Sequence, residues 1–516
     1  ALIIVIVILS PKIFCVSFCI LFKKFHNLTM VNVMNIYDDY ELNRLTLEDD
    51  FKDSSDFLLK EIITGNNKAL VCGMDGLIDS LQLSQMIMKP LLECKKSFDS
   101  SAQQLEYIKT EAVHCIEQKS IKTFEDAYYF LSSGFAVVII DGIGEALAFG
   151  IQGWTRRDTS EAKTEANVKG AKECFVESIN DNKALLRKRL KTYHLKQKQI
   201  KLGSSVSTPV ALCYLDNRAD KSTVEAVEQR LKDADLSTVS DYGELSAFLD
   251  SNIKSFFTAV GNTERPDVLA SKLLEGRVAV MVEGSPFVIY VPYLFSDNFS
   301  AADDYDNQPI FAGFMRLLRY FSFVVSLLLP GLFVAVGTYH QELIPTNLLF
   351  LIASNEAATP FSLATEAVFV HLLYEIMRES GLRLPENIGH AVSIIGGIVI
   401  GDAAVSAGII GAPMLIVIAV TAISSYVIYP LYESIAVLRI IFIFAGGLLG
   451  IYGIMLLSAV LFCNICALSP LGVPYSAPFS PLSFHSLGDV LVRENWKKLS
   501  RRKVRIGELE GVSDEQ

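Results

Sequence analysis

The chain offers no catalytic constellation. Its seven histidines are dispersed, and His114, His194 and His485 stand apart from one another, as ordinary surface histidines do. Nine cysteines follow no framework spacing. The one CxxC, Cys463 and Cys466, lies in an apolar run without His or acidic neighbours, so packing by small residues accounts for it better than metal or redox chemistry. Scattered cysteines fit a reducing compartment for the polar part of the chain. The glycines of residues 142–144 (GIG) sit in a tight turn, not in a loop opening a helix, which excludes a phosphate cradle. An enzyme is therefore the least favoured class, and no cofactor or metal is expected. Positive charge is also short: 46 Lys and Arg against 57 Asp and Glu give a net charge of −11. Phosphate binding needs a basic surface, so nucleic acid is excluded as a partner.

The largest scarcity is of charge itself, and it is local. Residues 37–309 carry charges throughout, whereas residues 311–468 are nearly free of them. The apolar fraction of 51% gathers in that second part. The pattern is a soluble region followed by a membrane region. Four crossings are expected: residues 314–339, interrupted by Pro330 and Gly331, then 391–410, 414–429 and 435–468. Residues 343–380 are apolar but hold Glu356, Glu366, His371, Glu375 and Arg378. Pro345 and Pro360 divide them into two short helices, expected to be interfacial or re-entrant. Pro330, Pro345 and Pro413 are candidate hinges. Glu433 and Arg439 open the last crossing, where Arg439 is expected to snorkel to the interface. Lys497, Lys498, Arg501, Arg502, Lys503 and Arg505 form a basic tail over 471–516, which with Arg316 and Arg319 marks the cytoplasmic side.

The soluble region reads as a duplication. Residues 134–142 (GFAVVIIDG) are a strand ending in an Asp-Gly turn, and residues 276–284 (GRVAVMVEG) repeat it at an offset of 142. Each is followed by a second apolar run, the signature of a hairpin. Residues 69–72 and 211–214 are buried strands at the same offset. Two α/β subdomains follow, residues 30–155 and 203–309. A polar helical linker, 156–202, joins them; within it residues 178–192 (SINDNKALLRKRLKT) form an amphipathic helix whose basic face is solvated or meets acidic protein or lipid headgroups. Residues 1–22 are strongly apolar, like a signal peptide or a first span. Met30 opens a polar sequence, so residues 1–29 are either an upstream extension or a real segment.

The candidate site is the glycine-dense run 394–411 (IIGGIVIGDAAVSAGIIG), which carries one carboxylate, Asp402. A charge at bilayer depth is seldom left facing lipid, and small residues let helices approach closely. At ~3.6 residues per turn, Val392, Ile395, Val399 and Asp402 share a face. In a symmetric ring that face forms an apolar gate with a ring of carboxylates; alternatively it is intersubunit packing. Gly396, Gly397, Gly401 and Gly408 are packing positions.

Several stretches resemble the A subunit of the GerA-type spore germination receptors. They are 204–216, 273–292 (LLEGRVAVMVEGSPFVIYVP), 317–346 (LLRYFSFVVSLLLPGLFVAVGTYHQELIPT) and 378–411 (RESGLRLPENIGHAVSIIGGIVIGDAAVSAGIIG). The resemblance implies a membrane subunit of the dormant spore's inner membrane, with its soluble region and tail on the core side. It also implies a homo-oligomer forming a nutrient-gated ion channel, with a transporter-like B subunit and a lipoprotein C subunit as partners. The chain departs from the family pattern at Asp402, where Gln is common. It also departs at residues 355–361 (NEAATPF) and at Lys169-Gly170-Ala171. The alternative is a non-conducting membrane scaffold or signal-amplifying paralogue that recruits partner subunits. A secondary transporter is disfavoured because the spans are few and show no inverted repeat.

Overall fold

The structure, a computed structural model, describes residues 34–153, 165, 169–250, 255–385, 397, 401–482, 487–491, 493–495, 497 and 506–509. The chain divides into two compact units. The first holds residues 1–158 and 178–199, the second 159–177 and 200–516.

In the first unit, β1 (Phe57–Thr64), β2 (Asn67–Met74), β3 (Gln118–Ile121), β4 (Phe135–Ile140) and β5 (Ala146–Gly150) form an antiparallel sheet of order β1-β2-β4-β5-β3. The Asp-Gly turn closes the β4–β5 hairpin, with Gly142 at φ +83°, a conformation that glycine adopts without steric cost. Strand β4 is buried on both faces, as its unbroken apolar run FAVVII requires. Helices α1 (Tyr40–Asp50), α2 (Phe124–Leu131) and α3 (Ile179–Arg189) are N-capped by Asp39, Thr123 and Ser178, which satisfy their free amide groups. The expected linker helix is thus present as α3, and its basic residues divide: Lys188 is exposed, whereas Arg187 turns inward to an acidic partner. Arg187 is fully buried, with Nε 2.8 Å and Nη2 2.9 Å from the Asp56 carboxylate. A buried guanidinium is tolerable only when paired.

A second sheet repeats the arrangement, its strands falling in the second unit except for residues 195–199, which belong to the first. Strands β6 (Leu195–Leu202), β7 (Thr208–Leu215), β8 (Gly261–Thr263), β9 (Val278–Val282) and β10 (Val288–Val291) take the order β6-β7-β9-β10-β8, and the β9–β10 hairpin stands where β4–β5 stands in the first sheet. Helices α4 (Lys221–Lys232), α5 (Tyr242–Leu249) and α6 (Pro266–Leu274) cover it.

A helical region follows in the same unit: α7 (Pro309–Tyr339), α8 (Thr346–Glu356), α9 (Leu363–Arg383), residues 401–406, α10 (Ala412–Tyr426) and the run Tyr432–Ala467. Among the described residues, two segments, Pro309–Tyr339 and Tyr429–Ala467, are by length and composition apolar enough to cross a membrane. Helix α7 continues through Pro330 rather than breaking there. The last run does break. Gly450 has φ +64° and ψ −150°, a conformation essentially confined to glycine. On either side of it, Ser434 donates to the Phe256 carbonyl and Asn464 accepts from Ser255 Oγ at 3.2 Å. In one straight helix those residues would stand ~45 Å apart. The run 435–468, expected as one crossing, is therefore a helical hairpin turning at Gly450, with arms α11 (residues 432–449) and α12 (residues 451–467).

The described residues after the hairpin pack against the rest of the second unit, while Lys498, Arg501, Arg502, Lys503 and Arg505 of the expected basic tail lie outside the described residues. Tyr475 is buried against Phe257 and Phe295, and the Ile506 amide donates to the Glu275 carbonyl at 3.0 Å.

Candidate functional site

Val392, Ile395, Gly396 and Val399 lie outside the described residues, so the shared face reasoned from spacing is described only at its end. There Asp402 is exposed in the single chain. Gly397 is helical, and a side chain placed on it would meet open space; one placed on Gly401 would touch Leu415 at 3.5 Å. Gly408, at φ +66°, terminates the helix, and its free space is closed by the Ala358 carbonyl. Gly411 then starts α10 with Pro413 in its first turn, where a missing amide hydrogen costs nothing.

The turn between these helices is held by a carboxylate. Glu366, fully buried in the first turn of α9, accepts a hydrogen bond from the Gly411 amide at 2.6 Å. Glycine contacts also seat the other helices. A side chain on Gly331 would collide with the Phe442 carbonyl, and one on Gly446 with the Gly331 carbonyl. Helices α7 and α11 therefore touch backbone to backbone beside Pro330, which is buried there. Pro345 caps α8 without a side-chain hydrogen bond.

A polar cluster crosses the middle of the bundle. Arg439 of α11 is fully buried, donating from Nε to the Ser326 carbonyl at 2.9 Å and from Nη1 toward the His371 ring at 3.4 Å. The Glu375 carboxylate accepts from Tyr432 at 2.9 Å and from Arg378 at 3.1 Å, and lies 3.6 Å from His371. Arg439 thus does not snorkel; it pins α11 to α7 and α9. The sequence signal was present in the charges of 343–380, whose partners on remote helices spacing could not supply. The expected pair of helices around Pro360 is there as α8 and α9, the second of 21 residues.

At the base of α7, Asp304 accepts from Arg316 at 3.0 Å and from Arg319 at 2.7 Å, and Arg316 also reaches Asp489 at 3.2 Å. Burial would raise the Asp304 carboxyl, but the two guanidinium groups outweigh it and hold the group below its ordinary range. Asp297 is treated the same way: burial opposes ionisation, yet Arg277 and Lys272, at 2.6 and 2.9 Å, hold it well below the usual carboxylate range. Among the described residues no group of three His, Cys, Asp or Glu could hold a metal.

The family profile described as Bacillus/Clostridium GerA spore germination protein matches residues 45–504. The chain belongs to the GerA family. Among its relatives are two from Bacillus subtilis. Uncharacterized membrane protein YfkQ is 35% identical over 455 residues, 87% of this chain and 87% of the relative. Spore germination protein KA is 35% identical over 448 residues, 86% of this chain and 82% of the relative. The crystal structure of the N-terminal domain of the A subunit of the Bacillus megaterium spore germinant receptor GerK3 is similar at 26% identity and a TM-score of 0.40, covering 51% of this GerA-family chain and 98% of that one.

Proposed function

We propose that the chain is the membrane subunit of a nutrient-responsive spore germination receptor, and that copies of it assemble around an ion path lined by the glycine-dense helix. The observation that carries this reading is Asp402, exposed on an apolar helix. In a bilayer that carboxylate needs protein or water beside it, and a ring of copies supplies both. Val392, Ile395 and Val399 then form the apolar constriction, which closes by dewetting, and the acid ring favours cations. Helices α7 and α9, the glycine-dense helix, α10 and the two arms of the hairpin, α11 and α12, make six crossings of the spore inner membrane. The two sheets and the segment after the hairpin face the core. Nutrient binding at a transporter-like B subunit, with a lipoprotein C subunit, shifts the closed–open equilibrium.

The test is ion flux through the receptor reconstituted with its partner subunits. Alanine at Val392, Ile395 and Val399 together is expected to produce leak without nutrient. Unchanged flux and unchanged germination in that variant would overturn the gate. Nutrient-dependent germination with no flux at all would favour the scaffold or signal-amplifying paralogue.

A further inference from the structure

We propose that Glu356 and Glu366 form a proton-binding site, a carboxyl pair sharing one proton that latches the turn closing the glycine-dense helix. The functional consequence rests on the gate reading above; the proton has a readout of its own.

The geometry of Glu366 is unusual. One oxygen, Oε1, accepts from the Gly411 amide at 2.6 Å. The other, Oε2, is buried and meets no N–H or O–H donor. What lies near it is the Glu356 side chain, at the end of α8, where the neighbouring Asn355 flanks Gly411. Ionised carboxylates only accept, so a buried carboxyl oxygen without a donor, with a second acid beside it, calls for a proton between them. The proton belongs on Glu366 Oε2. That group is the more deeply buried, where charge is costliest, and its remaining oxygen already serves as the acceptor for Gly411. Glu356, only half-buried, stays ionised and accepts.

The surroundings supply no alternative partner. The Gly411 amide acts on the pair from α10, and among the described residues no Lys, Arg or His acts on either carboxyl. His371, further along α9, is engaged with Arg439 and Glu375. A metal cation fits poorly, because the N-terminus of α10 presents partial positive charge there and no third His, Cys, Asp or Glu among the described residues completes a site.

The pair grips the turn from both sides. Ala358 stands over Gly408, Asn355 flanks Gly411, and Glu366 holds the Gly411 amide. Removing the proton leaves two carboxylates side by side away from water. Their repulsion separates the end of α8 from the start of α9 and releases the turn that ends the gate helix. Alkaline conditions therefore open the latch.

The experiment compares the full receptor, wild type and Glu366→Gln, by ion flux across a pH series, and the purified chain by infrared difference spectroscopy. Gln keeps both hydrogen bonds, accepting from Gly411 and donating to Glu356, but cannot lose a proton. Wild-type flux should rise with pH by up to ~10-fold per unit, the limit for one proton, and the variant should be flat. The wild-type spectrum should hold the carbonyl band of a dehydrated protonated carboxylic acid, lost in Glu366→Gln. A variant that follows the wild-type pH profile, or a wild-type spectrum without that band, overturns the proposal. The band without any flux would leave the proton site standing and remove the gate reading instead.

Discussion

Ser434 and Asn464, thirty residues apart in one apolar run, hydrogen-bond to consecutive residues, Phe256 and Ser255. The hairpin this requires makes both ends of the last run face the second sheet. Ser434→Cys and Asn464→Cys, each in a background with all nine native cysteines changed to Ser, should both react with an impermeant maleimide from one side of the membrane. Labelling from opposite sides would disprove the hairpin. Gly450→Val should cost about 1–3 kcal/mol through backbone strain, seen as lower thermal stability in detergent.

The Arg187–Asp56 pair ties α3 to the start of β1 in the first unit, with side chains 0% and 3% exposed. Removing one partner strands the other charge. Arg187→Met or Asp56→Leu alone should destabilise that unit by about 3–5 kcal/mol, and the double replacement by less. Hydrogen exchange of β4 amides in the full chain would measure it; equal protection in the single variants would show that the pair contributes nothing.

Asp297 sets an acid limit for the second sheet. Its carboxyl is held below the usual range in the folded state by Arg277 and Lys272, against the opposing effect of burial. The stabilisation is complete above the unfolded value of about 3.9 and is lost as pH falls below it toward the folded value. Thermal stability of the second unit should therefore drop on acidification below about pH 4. Asp297→Asn should be less stable at neutral pH and lose that acid-dependent slope. A variant with the wild-type acid profile would assign the effect to another group.

Asp402→Asn tests the charge on the proposed ion path. With a ring of carboxylates neutralised, the preference for cations should fall while nutrient still triggers opening. Reversal potentials in a cation gradient give the measurement. An unaltered reversal potential would move the conduction path away from Asp402.

Some of this was legible locally. The repeated hairpins were readable because a strand's period and an acidic-Gly turn are encoded within nine residues. The helices around Pro360 were readable because proline interrupts backbone hydrogen bonding wherever it falls. The basic face of α3 stayed open between solvent, acidic protein and lipid, since spacing counts charges on a helix but not the Asp56 that waits 131 residues away. Arg439 misled because its partners Ser326 and His371 lie on two other helices.

The amino-acid sequence by itself determined the division into a polar, twice-repeated α/β region and an apolar helical one, because hydrophobic period and charge density are properties of neighbouring residues. Tertiary structure alone decided where the last apolar run reverses. Gly446, Gly447, Gly450 and Gly453 all permit a break, and only close backbone packing against α7, with Tyr339 donating to the freed Gly447 carbonyl at 2.9 Å, selects Gly450. It also decided which buried charges meet, since a pair in the interior is fixed by the arrangement of whole helices, which no local pattern contains.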